Sequence, residues 1–212
     1  MNRKLCLIGP PGSGKGSYGR LLAKSLSLPL ITVSTLLKKA GLDVGTGNLV
    51  QDDDVNEVLL QNLPENYLLD GFPRTKNQLS LMEQTWAEPV QGAISLEVPR
   101  QVCLEKLLGR RSCSLCGENW NLAHVEKEGF HLPAKLPIEC TRCRIETHWT
   151  KRADDAPSLV EKRLDIFHFE SKSILQYFEA KGALLRFAPY RGFLDMPLFE
   201  SKVIEWSQNR DI

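Results

Sequence analysis

The sequence predicts an α/β fold: a five-stranded parallel sheet, doubly wound, with helices on both faces. Five short apolar runs, amphipathic stretches of helical period between them, and a glycine-rich turn directly after the first run carry this expectation. The runs lie at 5–8, 30–33, 67–69, 93–98 and 183–187. Helical patterns occupy 15–26, 55–61, 75–86 and 100–108, with a long one at 159–181 and a closing one near 197–208. In the long helix Val160, Leu164, Phe167, Ile174 and Phe178 share one face, and Ser158 with Glu161 has the spacing of a capping box at its start. Strands joined through helices pair in parallel, because the crossover returns each strand in the same direction.

Two segments break the alternation and read as insertions at the rim of the sheet. One, 38–51, is rich in Gly, Asp, Thr and Asn; the other, 112–151, contains Pro133, Pro137 and four of the six cysteines. Basic and acidic residues number 27 and 26, so no global charge draws the chain to nucleic acid or to an anionic membrane. No apolar run reaches the length of a membrane span, and the first run meets Gly9 too soon for a signal peptide, which fits a soluble chain or a trimmed mature form. Cys6 and Cys103 fall outside any spacing pattern and read as small buried apolar residues.

The turn after the first run, Gly9-Pro10-Pro11-Gly12-Ser13-Gly14-Lys15, fits G-x-x-x-x-G-K between a strand and a helix. Glycines there let backbone N–H groups turn inward around phosphate oxygens. The helix N-terminus adds its positive end and the lysine reaches the outer phosphates. Gly12, Ser13, Gly14, Lys15, Gly16 and Ser17 are therefore the expected phosphate contacts, with Gly16 standing where a Ser or Thr is usual.

A second signature is Leu69-Asp70-Gly71-Phe72-Pro73-Arg74-Thr75 with Gln78. A third is Gly109-Arg110-Arg111 before the cysteine segment and Lys151-Arg152-Ala153-Asp154-Asp155 after it, followed by Arg163. Together with the Gly-Lys-Gly ending of the phosphate turn, these resemble the adenylate kinases of the nucleoside monophosphate kinase family over 5–187. The 109–117 segment and Arg152–Asp155 are most similar to plastid-type enzymes of plants and algae.

The resemblance implies reversible, magnesium-dependent transfer, ATP + AMP = 2 ADP, by a monomer in the cytoplasm or an organelle such as the plastid. It implies a core of 1–33, 67–111 and 152–212, a reduced NMP-binding insertion at 34–66 and a lid at 112–151. Lys15, Arg74, Arg110, Arg152 and Arg163 would be the catalytic set, Asp70 would sit near magnesium, and Asn119 and Trp120 would join Arg110 on the ATP side. AMP would meet Val33, Lys38, Asn48, Leu49, Val50, Gly71, Arg74, Gln78, Arg152 and Arg163. Val33, Lys38 and Lys106 depart from the threonine, arginine and arginine usual at those places, and the stretch from Lys38 to Asp70 is shorter than in long members. A UMP/CMP kinase, a GTP:AMP phosphotransferase and a non-catalytic nucleotide-binding protein are the alternative readings.

Planar arginine forks that hold two phosphate oxygens at once suit this chemistry, in which positioning and charge neutralisation do most of the work. Cys113-x-x-Cys116 and Cys140-x-x-Cys143 supply the four thiolates that a closed structural zinc site prefers. His124, His131 and His148 are possible substitutes, and disulfides or free thiols are the alternatives to a metal.

Overall fold

A computed structural model describes residues 3–42, 50–136 and 148–210. Strands β1 (Lys4–Ile8), β2 (Leu30–Thr32), β3 (Tyr67–Asp70) and β4 (Gly92–Leu96) form a parallel sheet with a late strand, Leu184–Phe187, which is β10 in chain order. The spatial order is β10-β4-β1-β3-β2. The five strands lie within two or three residues of the five apolar runs.

Both faces of the sheet are covered, and β1 shows why its sequence is apolar throughout. Successive side chains of a strand point to opposite faces. Leu5 and Leu7 enter a core with Tyr18, Leu22, Phe199 and Val203, which belong to α1 (Lys15–Ser25) and the C-terminal helix Met196–Gln208, α7 in chain order. Cys6 and Ile8 face the other core, built with Val33 and Leu37 of α2 (Val33–Lys39), Val55 and Leu59 of α3 (Asp52–Asn62), and Leu79 and Met82 of α4 (Lys76–Thr85). Ile174 and Phe178 of the long helix α6 (Pro157–Ala180) complete it.

Three local expectations are corrected. Val33 starts α2 and does not end a strand, so Lys38 lies on a helix and not in an irregular insertion. Helix α6 begins at Pro157 behind Ala156, with no side-chain cap. Proline at the first helical position needs no N–H partner, and it displaces the Ser158/Glu161 capping box inward by two residues.

Helix α5 (Arg100–Leu108) leads from the sheet into the second insertion. There β5 (Arg110–Cys113) pairs antiparallel with β6 (Asn119–Asn121) and β9 (Trp149–Thr150), while β7 (Val125–Lys127) and β8 (Phe130–Leu132) form a hairpin turning at Glu128 and Gly129, both at positive φ. Val125, Phe130 and Leu132 pack on Val102 of α5, the His131 N–H donates to the Tyr190 carbonyl at 2.7 Å, and Lys127 pairs with Glu105 at 2.6 Å. The hairpin thus ties the insertion back to the core. Among the described residues no helix is long and apolar enough to cross a membrane.

Candidate active site

The phosphate turn runs from the end of β1 into α1. Ser13 N–H bonds the Pro10 carbonyl at 3.1 Å, and Gly14 caps α1 at φ 93° without a side-chain cap, leaving the first amides of the helix open to an anion. Gly12, at φ 87°, lies so close to α5 that a Cβ would stand 2.7 Å from the Cys103 carbonyl oxygen, so no larger residue fits without moving the turn. Ser13 Oγ is buried with no hydrogen-bond partner among the described residues, an orphan hydroxyl that a phosphate oxygen would satisfy.

Lys15 folds back over the turn, donating to the Gly9 carbonyl and, at 3.0 Å, to that of Pro10. Desolvation pulls its pKa down to about 8. Asp70 opposes the shift, Arg74 and Arg163 add to it, and the four side chains therefore act on one another across a single cleft.

Asp70 ends β3. Gly71 follows at φ 100°, where a Cβ would stand 2.8 Å from the Arg74 guanidinium, so glycine lets Arg74 fold back over the loop. Phe72 anchors that loop, stacked on Trp86 at 5.3 Å between ring centres. Among the described residues no hydrogen bond or ion pair engages the Arg74 guanidinium, which is exposed.

Two of the other arginines are held by the chain's own acids and one by an amide. Arg110 grips Asp155 with two hydrogen bonds, of 2.7 and 2.5 Å. Arg163 lies 2.9 Å from Asp154 and 3.5 Å from Asp155. Arg152 donates to Asn119 at 2.8 Å, and its pKa is lowered by desolvation and by Arg110 and Arg163, against Asp154 and Asp155. Arg110, Arg152 and Arg163 thus gather beside Asp154 and Asp155, and Arg163 acts electrostatically on Lys15 and Arg74. The two aspartates that seat them were visible beside Arg152 in the chain but carried no assigned part.

The remaining predicted residues divide. Gly16 opens toward Asp70, since a Cβ there would stand 3.7 Å from Oδ2. Gln78 is buried and already bonded: Oε1 accepts from the Arg74 N–H at 2.7 Å and Nε2 donates to Asp52 at 2.8 Å. Val33 is buried in the core and Val50 packs beside it, while Lys38 is exposed on α2. Trp120 packs inward against Cys113 and Trp149. Lys106, in the last turn of α5, has a pKa lowered by desolvation and by Lys135.

Asn48, Leu49, Cys140 and Cys143 lie outside the described residues, among which no three Cys, His, Asp or Glu side chains form a metal-binding group. A hollow of about 740 Å³ between the end of β4, α6 and Tyr190 contains none of the predicted site residues.

A parallel sheet with a glycine-rich phosphate turn after its first strand, facing a shell of arginines, defines a P-loop phosphotransferase. Residues 7–183 match the adenylate kinase family. The chain belongs to that family and is a phosphotransferase. It is 32% identical to the adenylate kinase of Syntrophomonas wolfei over 89% of this chain and 92% of the relative. It is 29% identical to the GTP:AMP phosphotransferase of Plasmodium falciparum over 99% of both. To chloroplastic adenylate kinase 1 of Arabidopsis thaliana it is 30% identical, over 88% of this chain and 72% of the relative.

Proposed function

We propose that the chain catalyses ATP + AMP = 2 ADP, holding both nucleotides in line inside a shell of Lys15, Arg110, Arg152 and Arg163, with Arg74 on the acceptor phosphate. The observation that carries this reading is geometric: Asp70, at the end of β3, faces Gly16 at the start of α1, where a Cβ would stand 3.7 Å from its Oδ2, and Arg74 folds back over the adjacent Gly71, which joins the phosphate turn to the acceptor arginine. Gly12, Ser13, Gly14, Gly16 and Ser17 would surround the donor phosphates, Ser13 through its unpartnered Oγ, with Asn119 and Trp120 of the lid beside them. Lys38, Asn48, Leu49, Val50, Gly71 and Gln78 would frame AMP, Val33 supporting them from the core. Residues 34–66 would act as the acceptor insertion and 112–151 as the lid, both closing on core segments 1–33, 67–111 and 152–212 to exclude water.

Asp70 fits a hard cation: its carboxylate faces the start of α1, where a Cβ on Gly16 would stand 3.7 Å from Oδ2. Magnesium bound there would neutralise donor phosphate charge. In the lid, Cys113 and Cys116 lie in a turn closed by Cys113 N–H to the Glu118 carbonyl at 2.8 Å and Gly117 N–H to the Cys113 carbonyl at 2.9 Å. Ser114 N–H bonds the His148 carbonyl at 2.9 Å, so the chain leaving the second cysteine pair returns beside the first. That geometry and the soft thiolates support a structural zinc on Cys113, Cys116, Cys140 and Cys143, which would supply folding energy to a lid of very short strands. His124 and His131 are engaged by Glu126 on the hairpin, which favours the four-thiolate set over a histidine substitute.

The cytoplasm, or an organelle such as the plastid, is the expected location, and a monomer is the expected form. A coupled assay tests the function: ADP should form from ATP plus AMP, and stoichiometric ATP binding without turnover overturns the reading. The same assay with GTP as donor, or with UMP and CMP as acceptors, ranks the alternatives.

A further inference from the structure

We propose that Asp52 is a positioning residue for the acceptor nucleotide, fixing the Gln78 amide and, through it, the backbone at Arg74. The proposal rests on the reading of this side of the cleft as the AMP subsite. Asp52 opens α3, and three side chains from the start of α4 donate to its carboxylate. Thr75 Oγ1 reaches Oδ2 at 2.9 Å, Asn77 Nδ2 reaches Oδ2 at 3.1 Å, and Gln78 Nε2 reaches Oδ1 at 2.8 Å. Thr75 Oγ1 also accepts from the Gln78 N–H at 3.0 Å, capping α4. On its other side Gln78 Oε1 accepts from the Arg74 N–H at 2.7 Å.

A primary amide can ordinarily turn over, exchanging its oxygen and nitrogen. Here it cannot do so cheaply. A carboxylate only accepts and a backbone N–H only donates, so the flipped amide would face oxygen to Asp52 and N–H₂ to Arg74, with both bonds replaced by repulsions. The order that results leaves one Nε2 hydrogen and one Oε1 lone pair for a base. Such an edge matches a base that presents a ring-nitrogen acceptor next to an amino donor, as adenine does. It opposes hypoxanthine, which presents N–H and carbonyl in the reverse order. A site whose polar groups are fixed in order discriminates more strongly than one that can adapt.

Steady-state kinetics of Asp52→Ala, Asp52→Asn, Gln78→Ala and the double variant Asp52→Ala/Gln78→Ala, with AMP, IMP and ATP each varied, test this. Asp52→Ala should raise the AMP KM on the order of tenfold, the usual scale of one charge-assisted hydrogen bond, and lower the AMP-over-IMP preference in kcat/KM by a similar factor. The ATP KM should stay within about twofold, on the order of the noise between independent sites. Asp52→Asn keeps an acceptor oxygen for Gln78 and should fall between. The double variant should be no worse toward AMP than Gln78→Ala, because Asp52 acts through that amide.

An unchanged AMP constant and AMP/IMP ratio in folded Asp52→Ala overturns the proposal, as do AMP and ATP constants that rise together or effects of the two substitutions that multiply. If Asp52→Ala melts below the assay temperature, Asp52→Asn, which preserves volume, is read by the same criteria. Arg74→Lys separates the two levels. An AMP constant indifferent to Arg74→Lys removes the subsite reading itself, whereas one that responds to Arg74→Lys but not to Asp52 removes only this proposal.

Discussion

Asp155→Ala would strip the arginine shell of its buried counter-ion. The Asp155 side chain is 1% exposed, while those of Arg110 and Arg163 are 19% and 32% exposed. Breaking a buried pair by removing one partner costs about 3–5 kcal/mol, because the other charge stays desolvated. Arg110 retains some contact with water and Arg163 keeps Asp154 at 2.9 Å, so the lower end applies, about 3 kcal/mol. At roughly 2–4 °C per kcal/mol for a chain of this size, the melting temperature should fall by roughly 6–12 °C. Asp155→Asn keeps the shape but turns an N–H₂ toward a guanidinium, so it should lose nearly as much. Thermal and urea melts followed by circular dichroism measure both. Glu97→Ala serves as the control, since its pair with Arg186 is 42% exposed on each side and should contribute only about 0–1 kcal/mol. A loss for Asp155→Ala no larger than for Glu97→Ala would refute the buried-pair reasoning.

Lys15→Ala should lower turnover at least about a hundredfold with little change in the melting curve, the scale of removing one preorganised donor; normal turnover would move the donor phosphates elsewhere. Because the Lys15 pKa is depressed to about 8 from 10.5, folding disfavours its proton, and its contribution to stability improves as pH rises from about 8 toward 10.5. ATP should raise that pKa, so calorimetry at pH about 8.5 in two buffers of different ionisation heat should show proton uptake on binding that Lys15→Ala lacks. Elemental analysis should find about one zinc per chain, and chelation should change the fluorescence of Trp120 and Trp149, which pack on Cys113, before the main sheet melts; metal-free protein never exposed to chelator would exclude the site. Lys38→Arg should tighten AMP by about one to two kcal/mol through a second charge-assisted bond without affecting ATP, and an AMP constant indifferent to both Lys38→Arg and Lys38→Ala would make Lys38 a solvated surface lysine.

The parallel sheet was legible because burial on both faces leaves an unbroken apolar run, as in Leu5-Cys6-Leu7-Ile8, and because the helices between the runs carry their own period. The lid strands were not. Trp149–Thr150 has two residues, and its pairing with β5 is set by tertiary register and not by propensity. Helix α2 escaped for a related reason: it has seven residues, and Thr32 before it makes no side-chain cap. In the site, Lys15 and the glycines around it were readable because the phosphate turn is local. The bond from Arg110 to Asp155 spans 45 positions and that from Gln78 to Asp52 spans 26, so only folding brings those partners together.

The seating of Arg110 and Arg163 on Asp155 and Asp154 has a consequence for what the cleft ignores. An open cluster of guanidinium groups would bind sulfate, inorganic phosphate or any stray carboxylate. Here each incoming anion competes with a carboxylate tethered in the same chain, whose local concentration no dilute monovalent or divalent ion in solution approaches. Only a ligand that engages the phosphate turn, Arg74 and the arginines flanking the lid together gains enough from its several anchors to win that exchange. The internal aspartates therefore set a threshold, and the shell answers to a pair of nucleotides bound side by side more readily than to phosphate alone.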